Sequence, residues 1–193
     1  MTKRNSGFYR NPEMLVGISA VFIGLAALGV SLFEAHLMRQ EQRAAVLPIL
    51  ELSQSFDIDE SSTEQATWRF SLQAHNVGIG PAIIRDFVVL ADGKRQATWN
   101  DAMQVITAST AGLPYRQSWI NGRTIPPGGQ VVMFDYVGPV NLSKIATQSK
   151  RLQFEACYCS VFNECWRVEF GTAGTTRATD NCASTRDAVV FNE

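Results

Sequence analysis

Histidine is almost missing from this chain: His36 and His75 are the two in 193 residues. General-base and nucleophilic schemes usually rest on an imidazole, and neither histidine opens a Ser-His-Asp or Cys-His arrangement in the sequence. No catalytic residue is assigned, and the chain is read as a non-enzyme. An excess of charge of one sign is lacking too, with 17 Lys plus Arg against 18 Asp plus Glu. A nucleic-acid partner would need a concentrated basic surface, so none is expected. Two cofactor patterns fail on single residues. Asn76-Val-Gly-Ile-Gly-Pro-Ala82 lacks the third glycine and the following helix of a dinucleotide cradle. The acidic run from Asp57 to Gln65 would need glycine and glutamate where Ser62 and Trp68 stand to form a helix-flanked calcium loop. No cofactor or metal is expected.

What the chain does have is one long apolar run. Met14 to Phe33, MLVGISAVFIGLAALGVSLF, is twenty residues without a formal charge. At about 1.5 Å of rise per residue it covers the roughly 30 Å hydrocarbon layer of a bilayer. It divides the chain into a basic cytoplasmic segment 1–12, a transmembrane helix 13–35, a helical stalk 36–47 and a folded body 48–193. Lys3, Arg4 and Arg10 precede the run, whereas Glu34 and Glu41 offset Arg39 and Arg43 after it, so the positive-inside rule keeps the amino terminus cytoplasmic. Ala27-Leu28-Gly29 would serve as a signal-peptide cleavage pattern. The run continues to Phe33, longer than a signal core, which favours an uncleaved anchor.

Gly17, Ala20, Gly24, Ala27 and Ser31 recur at spacings of three and four and form one stripe on that helix. Small residues so placed let a second helix approach closely, the main attraction available in lipid. A membrane-protein partner or a second copy of the chain is therefore expected there. The bland reading is that membrane helices are rich in small residues anyway.

After the helix, Pro48 disfavours helix at Leu47, and strand patterns begin. Strands are expected over Ile49–Phe56, Trp68–His75, Ile83–Leu90, Tyr115–Ile120 and Gln130–Val137. The clearest is the second, where Trp68, Phe70, Leu72 and Ala74 alternate with polar residues. Asn76, Gly78, Gly80 and Pro81 mark a sharp crossing between strands: the glycines allow positive φ or close backbone approach, and Pro81 offers no amide. Asp92-Gly93 is a tight-turn signal. Thr98 and Asp101 imitate a capping box, predicting a short helix up to Thr107 with Trp99, Met103 and Ile106 inward. A second short helix is expected over Asn141–Lys150. The fold class is mainly β: an amino-terminal transmembrane helix followed by an immunoglobulin-like antiparallel sandwich with one or two short helices.

The segment Phe154–Phe170, FEACYCSVFNECWRVEF, can be tested by register. A three-residue loop Val161-Phe162-Asn163, with Asn163 left-handed, pairs Phe154 with Phe170, Ala156 with Val168 and Tyr158 with Trp166 on one face. A slip of one residue would set Ala156 against Glu169 and destroy that face. The same register sets Cys159 across from Cys165 and leaves Cys157 for Cys182, which would staple the Gly- and Thr-rich tail to the body. Cys157–Cys165 and Cys157–Cys159 remain as alternatives. Four thiols could also bind zinc, but Cys-x-Cys followed by single cysteines is not the usual knuckle spacing.

The basic start, the apolar helix, the MRQEQRAAVLP segment ending at Pro48, the Asn76-x-Gly-x-Gly-Pro-Ala82 motif and the Tyr158–Trp166 hairpin together resemble a loose group of bacterial single-pass membrane proteins. The resemblance implies an extracytoplasmic β domain on the inner membrane of a Gram-negative bacterium, in the periplasm, and carries no activity with it. The function expected is that of a membrane-anchored interaction domain, an accessory subunit of a membrane protein complex. The alternative is a sandwich that binds a glycan or other small ligand on Trp99, Trp119 or Tyr115.

Overall fold

The structure is a computed structural model and describes residues 12–59, 67–107, 115–138, 147–170, 176–182 and 191. The chain divides into two units, Met1–Ala44 and Ala45–Glu193. The first is a single unbroken helix, α1 (Pro12–Ala44). Proline suits its first position, where the missing amide has no helical partner. Glu13 in the first turn and Arg43 in the last complement the helix dipole. None of its residues is buried, and its large apolar side chains from Met14 to Phe33 are 38% to 69% exposed.

The second unit is antiparallel throughout. Its elements are β1 (Leu50–Asp59), β2 (Thr67–Asn76), β3 (Ala82–Ala91), β4 (Lys94–Arg95), α2 (Trp99–Thr107), β5 (Tyr115–Gln117), β6 (Thr124–Ile125), β7 (Gln130–Gly138), β8 (Leu152–Cys159), β9 (Cys165–Phe170) and β10 (Thr176–Thr179). One sheet has the order β1-β2-β7-β5. The other runs β10-β9-β8-β3-β4, with β6 pairing β3. Removing the short β10 and β6 leaves the A-B-E-D and G-F-C-C′ order of an immunoglobulin-type sandwich.

Alternation places the inner faces. Phe70, Leu72 and Ala74 of β2 face Phe87 and Val89 of β3 and Phe154, Ala156 and Tyr158 of β8, all at most 2% exposed. Trp99 lies among them, its ring 5.0 Å from Phe134, 5.1 Å from Phe191, 6.1 Å from Phe154 and 6.2 Å from Phe87. Helix α2 delivers it, and the helix starts where the side chains dictate. The Asp101 amide donates to Thr98 Oγ1 at 3.2 Å, and the Thr98 amide donates back to the Asp101 carboxylate at 3.1 Å. Met103 is buried with Trp99, while Ile106 is among the residues whose side chains lie outside the described ones.

Several boundaries differ from the sequence expectation. Strand β1 runs on to Asp59 because Asp57 and Ile58 pair with Arg69 and Trp68. Strand β5 stops at Gln117 instead of Ile120, and β4, β6 and β10 carry too few residues to show a period. Most of the helix expected over Asn141–Lys150 lies outside the described residues; of those described, Thr147 and Gln148 are helical and run into a 3-10 turn, Ser149–Arg151. At Asp92-Gly93 both residues have positive φ, 51° and 74°, which is the two-residue turn joining β3 to β4.

Candidate functional site

One end of the sandwich collects the Asn76–Pro81 motif and the four cysteines. Pairing of Leu50 with Asn76, Ala82 with Ile125 and Ile83 with Cys159 brings the start of β1, the end of β2, the start of β3 and the β8–β9 hairpin to the same pole. The body begins there, at residues 45–49.

Asn76 organises this pole. It is 0% exposed, and its side chain uses both ends. Oδ1 accepts from the Gly78 amide at 3.1 Å and the Ile49 amide at 3.3 Å. Nδ2 donates to the carbonyls of Gly80 at 2.8 Å and Ile125 at 3.0 Å. Its backbone amide donates to Gly129, and its carbonyl accepts from Gly128. One asparagine thus ties the lead-in segment, its own loop and the Pro126–Gly129 turn together, and a buried amide so fully bonded carries little desolvation penalty. The two glycines are needed for proximity, not for φ. A Cβ on Gly78 would overlap the backbone at Leu47 and Ile49, and one on Gly80 would fall on the Val46 carbonyl. The Ile79 and Gly80 amides donate to the Leu47 carbonyl at 3.1 and 3.2 Å, and the Val77 amide donates to that of Ile49 at 2.8 Å. Pro81 then leads into β3, where no amide is required of it.

The cysteines lie beside this clamp. The β8–β9 register aligns Phe154 with Phe170, Tyr158 with Trp166 and Cys159 with Cys165, around a loop whose Asn163 has φ 59°. The bridges are Cys159–Cys165, with Cα atoms 4.0 Å apart, and Cys157–Cys182, with Cα atoms 5.5 Å apart. With all four bridged, none presents the thiolate that a zinc site requires. Strand β10 pairs with β9, and Phe191 returns to the core against Trp99 and Phe87, so the tail is held at three places. The sequence offered the Cys182 staple but no sign of the other two.

The same pole displays apolar side chains to solvent. Leu47, Ile49, Val77 and Ile79 are 37% to 65% exposed on the lead-in segment and the glycine loop, and Val161 and Phe162 are 51% and 48% exposed at the hairpin tip. Sandwich loops clustered at one end are where this architecture ordinarily makes its contacts.

The remaining singled-out residues are dispersed. Trp99 is 1% exposed in the core and is removed from any ligand platform, because α2 turns it between the sheets. Tyr115 stacks on Phe134 at 4.9 Å and borders a shallow hollow with Arg69, Arg116, Asp135 and Val137. Trp119 is 65% exposed and is not among that hollow's lining residues. Arg69 forks onto Asp135 at 2.9 and 3.1 Å, which raises the arginine's pKa chiefly through the hydrogen bond and then through charge. Glu155 and Glu169 are cross-strand neighbours, and Glu155 is paired with Arg167 at 3.2 Å. His75 faces Glu51 and Gln130 across its strands, and His36 lies on α1, its ring nitrogen 3.1 Å from Gln40 Nε2. Gly17, Ala20, Gly24, Ala27 and Ser31 all lie on the exposed helix, and among the described residues nothing beyond the helix's own backbone lies within 4 Å of where a Cβ on Gly17 or Gly24 would be.

One half-buried carboxylate stands apart. Asp86 of β3 has an oxygen with no hydrogen-bond partner among the described residues. Burial pushes its pKa up, and the nearby charges of Arg95 and Arg167 pull the other way. No protein-family model matches this chain, and no curated protein is similar to it.

Proposed function

We propose that the protein is a membrane-anchored, non-catalytic interaction domain, an accessory subunit that presents an immunoglobulin-type sandwich outside the inner membrane, in the periplasm. The observation that carries this reading is the unburied helix. A twenty-residue uncharged stretch whose large side chains are at least 38% exposed has no buried residue among the described ones, and lipid or another helix would cover it. Two disulfides in the body favour an oxidising exterior compartment over the cytosol. The apolar pole offers a second contact surface, more exposed than a monomer needs for folding.

Detergent extraction followed by crosslinking and affinity capture tests the reading. A discrete membrane-protein partner, or a second copy, is expected in the crosslinked product. Gly24→Leu should reduce capture through the helix, and Ile79→Asp with Phe162→Asp should reduce capture through the pole. A strictly monomeric protein, unaffected by either change, would count against it. The ligand-binding reading is weakened by the burial of Trp99 and keeps the exposed Trp119 and the hollow beside Tyr115.

A further inference from the structure

The two disulfides are in contact with each other. Cys159 Sγ lies 3.8 Å from Cys182 Sγ, to which it is not bonded, and the sulfurs of Cys159, Cys165 and Cys182 all fall within 4.8 Å of one another. Cys157 and Cys159 are two residues apart on β8, so both side chains leave the same face of the sheet. Cys182 therefore sits where either could hold it. Cys157, Cys159 and Cys182 are 1%, 3% and 8% exposed, whereas Cys165 is only partly buried, which makes Cys165 the sulfur an outside reagent meets.

We propose that the two bridges form one exchange site, at which an external thiolate opening Cys159–Cys165 passes the break inward to Cys157–Cys182. In the first step the thiolate attacks Cys165 Sγ; a mixed disulfide forms on Cys165, the Cys159–Cys165 bond breaks, and Cys159 leaves as thiolate. In the second, Cys159 attacks Cys182 Sγ across the 3.8 Å gap; Cys159–Cys182 forms and Cys157 leaves as thiolate. Neither step changes the number of disulfides. A second external thiol then releases Cys165, and the pair of external thiols is oxidised to its own disulfide as the protein gains two electrons. The product holds one bridge, Cys159–Cys182, and two thiols, Cys157 and Cys165.

Two features keep the inward step close to balanced. The bridge to Cys182 closes a span of 25 residues from Cys157 and would close 23 from Cys159, so the loop-closure entropy barely changes. Charge is met at both stations. Arg85 lines the hollow over Cys159, Cys165 and Cys182, opposed there by Asp180. Arg167 is the cross-strand neighbour of Cys157, opposed by Asp86 on the other side. The tail stays attached throughout, because Cys182 is never free. What changes is which buried sulfur is left as a thiol beside Cys165, Cys159 or Cys157.

The test uses the full chain in detergent. Treated with dithiothreitol below one equivalent, quenched in acid, alkylated and mapped by mass spectrometry, the half-reduced protein should carry label on Cys157 and Cys165 with Cys159–Cys182 intact. Label on Cys159 and Cys165 with Cys157–Cys182 intact would overturn the proposal. Cys165→Ser provides a second reading, since it leaves Cys159 without its own partner beside the remaining bridge. Its oxidised form should contain both Cys157–Cys182 and Cys159–Cys182, within about tenfold of each other given the near-equal loops. Recovery of Cys157–Cys182 alone would overturn it.

Discussion

The helix and the body answer hydrophobicity in opposite ways. In α1 the large apolar residues from Met14 to Phe33 are 38% to 69% exposed, and no residue of the helix is buried. In the body Phe70, Ile84, Phe134 and Tyr136 are 0% exposed, and the chain supplies every wall of their surroundings. The body covers its own apolar side chains, whereas the helix leaves its own exposed, as lipid or another helix would require. A substitution should therefore register in one unit as stability and in the other as association.

The largest loss is expected where the body is clamped. Gly80→Ala sets a Cβ on the Val46 carbonyl and should cost about 4 kcal/mol, read as the midpoint of chemical unfolding of the body. Asn76→Ala strands one buried and one part-buried amide and two buried carbonyls and should cost about 3 kcal/mol in the same measurement. Because the lead-in segment is what the clamp holds, neither change should alter membrane retention of the helix.

Removing a bridge should follow loop length. Replacing Cys157 and Cys182 by serine, a 25-residue span, should cost about 3.5 kcal/mol, and replacing Cys159 and Cys165, a 6-residue span, about 2 kcal/mol. Equal losses from the two pairs would mean that the tail is held by β10 and Phe191 rather than by its staple.

Asp86 gives a smaller effect with a defined sign. Its folded pKa is raised, so the folded state holds the proton more tightly than the unfolded one. That contribution is fully present below the unfolded carboxylate value of about 3.9 and is lost as pH rises through the folded value. Asp86→Asn should accordingly raise the thermal midpoint at pH 7, with the gain shrinking as the pH falls through the folded value and gone below about 3.9. A gain that persists at pH 3 would place its origin elsewhere.

Smallest of all, by the body's own measure, is Gly24→Leu. Among the described residues a Cβ there meets nothing beyond its own helix, so the change should leave the body's unfolding midpoint unchanged while reducing crosslinking in the membrane.

The parts of this architecture that sequence made legible are those set by local pattern. The β8–β9 register follows from Phe154, Ala156 and Tyr158 needing apolar partners, and Asn163 takes the left-handed turn residue that this spacing requires. Thr98 and Asp101 start α2 by contacts three residues apart. What was hidden is non-local. Asn76 read as part of a turn, but its partners Ile49 and Ile125 lie 27 and 49 residues away, and the need for glycine at positions 78 and 80 comes from Val46 and Leu47 crossing above them. Phe191 near the chain end carries no pattern that would place it on Trp99. Trp99 itself fitted two readings, inward on a helix or outward on a platform, and the packing of four aromatic rings around it decides for the first.

The claim that the body hangs outside an intact anchor is tested most directly by protease treatment of spheroplasts carrying the full chain with a tag at each end. The account predicts a full-length protein that stays with the membrane through an alkaline wash, whose carboxyl-terminal tag is lost to added protease while the amino-terminal tag survives. A body protected from protease, or released with its amino-terminal helix removed, would contradict it.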